Sequence, residues 1–267
     1  MTKNGEGSHA KKVTNFNELI SFVTGYGEDY NPSNESIALP ALRELAAIAA
    51  NSVKAVNGLL SPYNKVVAIR ETQFAPLSKL VTRIMNGLKS SGVSDTVYNQ
   101  VLTVARKLRG ERATAIDTPE VKNTEDEPAS APKHISVSQM GFNNRAENFE
   151  KLVELLAGIP QYNPSAADLK ISALTELSAI LKSSNQAVID AEVPLSNARN
   201  NRDVILYRET TGLCDIALAV KNEVISVFGT NSRQYKQISK LRFQKIVNDD
   251  LSNAYIAKSG GQPPQPD

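Results

Sequence analysis

Apolar side chains recur three and four residues apart along nearly the whole chain, and no convincing run alternates with the period of two that marks a strand. Phe16, Leu19, Ile20 and Val23 form the first stripe, closed by Gly25 as a helix stop. Tyr30-Asn31-Pro32-Ser33 reads as a turn, because Pro32 biases Asn31 away from helical backbone and Ser33 or Asn34 can cap the next helix. Ile37, Leu42, Leu45, Ile48, Val53 and Val56 predict a long second helix, with Pro40 in its first turn or two, where a missing N–H costs little. Ser61-Pro62 reads as the cap and first position of a third helix through Val66, Ile69, Leu77, Leu80, Val81 and Ile84, which Pro76 should kink or split. Ser94-Asp95 caps a fourth, through Val97, Val101, Val104 and Leu108 to Gly110.

The same plan returns later in the chain. Tyr30-Asn31-Pro32-Ser33 reappears as Tyr162-Asn163-Pro164-Ser165, and Arg70-Glu71-Thr72 as Arg208-Glu209-Thr210. A shift of 132 carries Leu42, Glu44, Leu45, Ile48 and Pro62 onto Leu174, Glu176, Leu177, Ile180 and Pro194, and a shift of 133 carries Phe16 and Gly25 onto Phe149 and Gly158. Past the prolines the shift becomes 138 and then 137, which places extra residues of the second copy between Pro194 and Arg208. In that copy the third helix is expected to run unbroken from near Pro194 past Val204, Leu213 and Val224 to Phe228, roughly 50 Å of helix. The fourth, marked by Tyr235, Ile238, Leu241 and Ile246, extends toward Leu251 and Tyr255.

The expectation is an all-α protein of two tandem duplicated antiparallel helical bundles, each of about four helices, joined by a flexible acidic linker containing prolines. Its divisions are a flexible N-terminal arm at 1–14, copy one at 15–111, the linker at 112–145, copy two at 146–257 and a flexible tail at 258–267. Pro119, Pro128 and Pro132 with Glu120, Glu125, Asp126 and Glu127 leave the linker too little apolar surface to fold alone.

Composition narrows the function classes. A net charge of +2 over 267 residues does not by itself call for a nucleic-acid partner. The single cysteine, Cys214, excludes an intramolecular disulfide and a cysteine-ligated zinc, and its apolar surroundings read as a buried, inert thiol. Met1 to Gly7 has no apolar signal region and no stretch has the length of a spanning helix, so a cytoplasmic location is expected, with leaderless export left open.

The two histidines, His9 and His134, fall in the expected arm and linker, where no rigid scaffold holds a triad or a metal. No Glu-x-x-His pair and no glycine-rich phosphate loop occurs, so no catalytic, metal or cofactor site is expected and the chain reads as no enzyme. The candidate interaction or structural anchors are therefore the repeated Tyr30, Pro32, Tyr162 and Pro164, with Arg70, Glu71, Arg208 and Glu209. For the turns the leading reading is a rigid corner with tyrosine packed under the bundle end; for Arg-Glu it is an ion pair that fixes helix packing. Arg233, Lys236, Lys240, Arg242 and Lys245, interleaved with Tyr235 and Phe243, form a candidate basic face for phosphates and bases.

The function expected is a non-enzymatic structural or interaction protein that joins a protein partner or copies of itself through non-equivalent faces. The alternatives are a nucleic-acid-associated protein using the basic last helices, or a small-molecule or metal-binding bundle. Tyr162-Asn163-Pro164-Ser165, Leu174-Thr175-Glu176-Leu177 and Pro194-Leu195-Ser196-Asn197-Ala198-Arg199 resemble uncharacterised bacterial proteins with the same tandem helical plan. The resemblance is clearest in the second copy and implies a bacterial origin; it implies no activity and no site residue.

Overall fold

The computed structural model describes residues 6–110 and 140–244, and among them every regular element is helical. The α-helices are α1 (Glu6–Gly25), α2 (Leu39–Phe74), α3 (Leu77–Ser90), α4 (Asp95–Arg109), α5 (Phe142–Ala157), α6 (Ile171–Tyr207), α7 (Leu213–Phe228) and α8 (Arg233–Ser239). Of the linker expected at 112–145, residues 112–139 lie outside the described residues and 142–145 already belong to α5; the end of the expected fourth helix and the tail at 258–267 also lie outside the described residues.

α1 starts at Glu6, so residues 6–14 are helical, whereas a flexible arm was expected over 1–14. The stripe of Phe16, Leu19 and Val23 continues backward at helical spacing through Val13, Lys12 and His9, all buried. Polar types at these inward positions hide the helix from a reading of hydrophobicity alone.

Pro62 and Pro194 do not begin new helices; each lies inside a continuous one, α2 of 36 residues and α6 of 37. An internal proline forfeits one i→i−4 hydrogen bond at a cost of about 3 kcal/mol. Apolar burial on either side, at Val53, Val56 and Phe74 in α2 and at Val188, Leu195 and Leu206 in α6, holds the helix through it.

Tertiary packing groups Met1–Leu60 with Pro194–Asp267 as one unit, and Ser61–Val193 as the other. The expected partition was 15–111 against 146–257. Each unit instead joins the first half of one copy to the second half of the other, and the chain passes between units at Pro62 and Pro194. The reason is the continuity of α2 and α6: packing a copy onto itself requires a reversal at Ser61-Pro62, and a helix running straight through that position cannot reverse.

In the first unit the core takes Phe16, Leu19 and Val23 from α1, Leu42 and Ala49 from α2, Leu206 from α6, Leu213, Ala217, Val220 and Val224 from α7, and Ile238, Leu241 and Phe243 at and beyond α8. In the second it takes Phe74, then Leu77, Val81, Ile84 and Leu88 of α3, Val101, Ala105 and Leu108 of α4, Phe149, Leu152 and Leu156 of α5, and Leu174 and Leu181 of α6. There α4 packs against both α3 and α5.

Pro76 splits the third helix of copy one as expected, standing just before α3. The third helix of copy two is broken as well, at 208–212, where an unbroken run to Phe228 was expected. Thr210 takes a left-handed φ of 63° and its N–H donates to Asp215 Oδ2 at 2.8 Å. The Gly212 N–H reaches Arg208 O at 2.9 Å, an approach so close that a Cβ at Gly212 would lie 2.6 Å from that oxygen. On the expected duplication, the extra residues of the second copy would fall in this turn. A constant shift of 132 carries Leu39 to Ile171 and Phe74 to Leu206, and only beyond the turn do the buried Leu77, Val81, Ile84 and Leu88 match Leu213, Ala217, Val220 and Val224, at a shift of 136.

Candidate functional site

The repeated tyrosines are buried corner posts. Tyr30 Oη donates to Ile37 O at 2.8 Å and Tyr162 Oη to Leu169 O at 3.0 Å, each carbonyl seven residues downstream. Burial pushes both phenols above the ordinary tyrosine value, Tyr162 to about 12, with Glu223 adding to the effect on Tyr30 and Asp168 to that on Tyr162. Pro32 and Pro164 are half-buried beside them. Asn34, not Ser33, supplies the cap, its Oδ1 accepting from Ser36 N at 3.0 Å.

The two Arg-Glu-Thr triplets occupy unlike places. Arg70-Glu71-Thr72 lies in the last turns of α2, whereas Arg208-Glu209-Thr210 is exposed in the turn after α6. Arg70 stacks its guanidinium 4.1 Å from the Phe142 ring rather than pairing with the exposed Glu71. At the constant shift of 132 the structural counterpart of Arg70-Glu71 is Arg202-Asp203. That pair is nearly closed to solvent, Arg202 Nε donating to Asp203 Oδ1 at 2.8 Å.

Around Arg202-Asp203 the first unit gathers a buried polar cluster. His9 Nδ1 shares a 2.8 Å hydrogen bond with Tyr207 Oη and lies 3.9 Å from Asp203 Oδ1. Lys12 Nζ sits 5.6 Å from the centre of the Tyr207 ring and donates to Ser8 Oγ at 3.0 Å. Cys214 at the start of α7 is fully buried nearby. His9 thus belongs to a packed helix, correcting its expected place in a free arm. His134 lies outside the described residues. The second unit builds the matching corner with less titratable chemistry. The shift of 133 carries His9 to Phe142 and Lys12 to Arg145, which lies over the Phe74 ring at 5.3 Å and donates to Phe74 O at 3.0 Å.

Lys12 also lines a groove of about 400 Å³ with Ser8, Lys11, Asn15 and Glu18 of α1 and with Lys240, Leu241, Arg242 and Gln244. The far wall exists because α8 stops at Ser239 instead of running on through Ile246. Beyond it the chain alternates, Leu241 and Phe243 buried and Lys240, Arg242 and Gln244 exposed. Lys221 of α7 donates to the carbonyls of Ser239 at 3.2 Å and Leu241 at 2.6 Å, removing acceptors a further helical turn would use. Asn15 Nδ2 donates to Arg242 O at 3.1 Å, and Phe16 meets Phe243 edge to face. The five candidate cations therefore do not share one helical face. Arg233 and Lys236 are exposed on α8, Lys240 and Arg242 line the groove with Lys11 and Lys12, and Lys245 lies outside the described residues.

Sequence reasoning missed Lys11, Lys12, Arg202 and Asp203. The available signal was position: His9 and Lys12 fall on the extended face of Phe16, and Arg202-Asp203 stands at the uninterrupted shift of 132. Among the described residues no group of three or more His, Cys, Asp or Glu is placed to hold a metal ion, and no helix is long and apolar enough to cross a membrane. Comparison with protein families, curated proteins and solved structures finds no match to the chain.

Proposed function

We propose that the chain is a non-enzymatic structural or interaction protein, a duplicated helical plan that joins copies of itself through unlike faces. The observation behind this reading is a set of exposed isoleucines and a valine on the two long helices. Ile48 of α2 and Ile180 of α6, related by the shift of 132, are 44% and 38% exposed. On the side of α6 opposite Ile180, Ile189 and Val193 lie one turn apart and are also exposed, whereas the matching positions of α2 are Asn57 and Ser61. A second copy of the chain is the occupant that this pattern favours. Every molecule carries the shared isoleucine twice, the Ile189 and Val193 pair on α6 once and the exposed Ile69 on α2 once, so the two long helices present unlike faces, which suits a heterologous, head-to-tail contact.

Light scattering coupled to size exclusion tests the proposal across a concentration series. The expected mass rises above the 29.0 kDa of one chain with concentration, and an Ile189→Lys/Val193→Lys variant returns it to the monomer. A wild-type protein that stays monomeric at every concentration and salt overturns the reading.

A further inference from the structure

Among the described residues, the groove of the first unit is lined by more positive than negative charge. Lys11, Lys12, Lys240 and Arg242 face one carboxylate, Glu18. Ser8, Asn15 and Gln244 add hydrogen-bonding groups, and Leu241 is the apolar lining residue.

Lys12 is the informative member. It is 7% exposed, yet none of the ion pairs among the described residues includes it. Its ammonium meets Ser8 Oγ and the face of Tyr207, and burial lowers its pKa while the neighbouring Cys214 pulls it back up. A buried ammonium without an opposing charge is costly, and an anion seated in the groove supplies that charge. The opposite wall is fixed by its backbone: Asn15 and Lys221 hold the carbonyls of residues 239, 241 and 242, and among the described residues no hydrogen bond or ion pair takes up the side chains of Lys240 and Arg242, which line the groove.

We propose that this groove is a binding site for a small polyanion carrying two or more phosphate groups. Among the described lining residues a single carboxylate, Glu18, stands against four cations. The planar fork of Arg242 suits bidentate contact with phosphate oxygens, and the lysines act as point charges around it. The volume lies in the range of small-molecule sites, about 300–1,000 Å³.

Titration calorimetry on the full chain at low salt tests the site with inorganic tripolyphosphate, pyrophosphate, monophosphate and citrate, and with a single-stranded oligothymidylate. Tripolyphosphate is expected to bind most tightly, followed by pyrophosphate, with affinity falling as salt rises. Lys240→Ala/Arg242→Ala, a change at exposed positions, should weaken it at least about tenfold, the loss expected for removing charge-assisted hydrogen bonds. The same variant should keep its thermal midpoint, and Lys79→Ala/Lys89→Ala in the second unit should bind like wild type. Absence of binding at millimolar tripolyphosphate, equal binding by the Lys240/Arg242 variant, or tighter binding of citrate overturns the proposal. So does oligothymidylate binding that outcompetes tripolyphosphate and depends equally on Arg233 and Lys236, the result expected of a nucleic-acid surface.

Discussion

Replacing Tyr162 by phenylalanine isolates one oxygen that stabilises the fold near neutral pH and loses that contribution in alkali. The side chain is 6% exposed and its hydroxyl donates to Leu169 O at 3.0 Å, in a 3-10 turn whose Leu169 is itself buried. Tyr162→Phe leaves that carbonyl without its donor, a loss of about 1–2 kcal/mol near neutral pH. The hydroxyl also titrates. Burial, with the Asp168 carboxylate nearby, raises the phenol from the ordinary value near 10 to about 12. Between those values the unfolded chain has released the proton while the folded one retains it, so the unfolded state binds fewer protons and stability falls as pH rises. The contribution is complete below about pH 10 and gone above about pH 12.

At about pH 11 wild type should have lost about 1.4 kcal/mol that the phenylalanine variant, having no phenol, does not lose. The stability gap between the two proteins therefore closes to near zero. Urea unfolding followed by circular dichroism at about pH 8 and about pH 11 measures it, and titration of other groups cancels in the difference. A gap that is the same at both pH values, or absent at the lower one, refutes the reasoning. Tyr30→Phe should behave alike in the first unit, with its 2.8 Å bond to Ile37 O and a window reaching to higher pH.

Two further pairs of variants test the register and the turn. Asp203→Asn should destabilise by about 3 kcal/mol, because it removes the buried carboxylate to which Arg202 donates, whereas Glu71→Gln at the matching exposed position should fall within about 0.5 kcal/mol of wild type. Equal effects in urea unfolding would sink the equivalence of Arg70-Glu71 with Arg202-Asp203. Gly212→Ala should destabilise by about 2 kcal/mol or more, since its Cβ meets backbone atoms of Arg208 at 2.6 and 2.7 Å, while Gly58→Ala, in α2 with open space around it, should stabilise by about 0.5–1 kcal/mol. Thermal melts that rank the two glycines the other way contradict this account of the turn.

The helical class was legible because burial follows a 3.6-residue stripe: Phe16, Leu42, Ile84, Phe149 and Leu174 were all expected on inward faces and all are buried. Pro76 marked a true break. Pro62 and Pro194 did not, because local preference at a proline weighs about 3 kcal/mol and apolar burial on both sides outweighs it. Reading those prolines as helix starts allowed each copy to close on itself. The match of Arg70-Glu71-Thr72 to Arg208-Glu209-Thr210 then looked sound by letter, although one triplet is helical and the other is a turn. The groove was hidden for a different reason. Half of it comes from a stretch that reads as polar, Ser8 to Lys12, and half from a helix ending set by Lys221, a residue near neither end of the groove in sequence.

Under the proposed duplication, the retained element is the long proline-containing helix rather than the bundle. The shift of 132 holds from Leu39 to Phe74 without a gap, through both the prolines and the buried Ser52 and Ser184, each of which donates back to the carbonyl three residues earlier at 2.7 and 2.8 Å. Divergence collects instead where α1 and α5 meet the ends of α6 and α2. One corner holds His9, Lys12, Arg202, Asp203 and Tyr207, and the other holds Phe142, Arg145, Arg70, Glu71 and Phe74. Both corners keep a cation over an aromatic ring, Lys12 on Tyr207 and Arg145 on Phe74. What changed is the titratable chemistry around that contact, and the basic groove opens beside the corner richer in it. A difference at the corners leaves the helical frame of both units intact while giving each its own surface, and it adds to the unlike faces of α2 and α6 on which the proposed self-association rests.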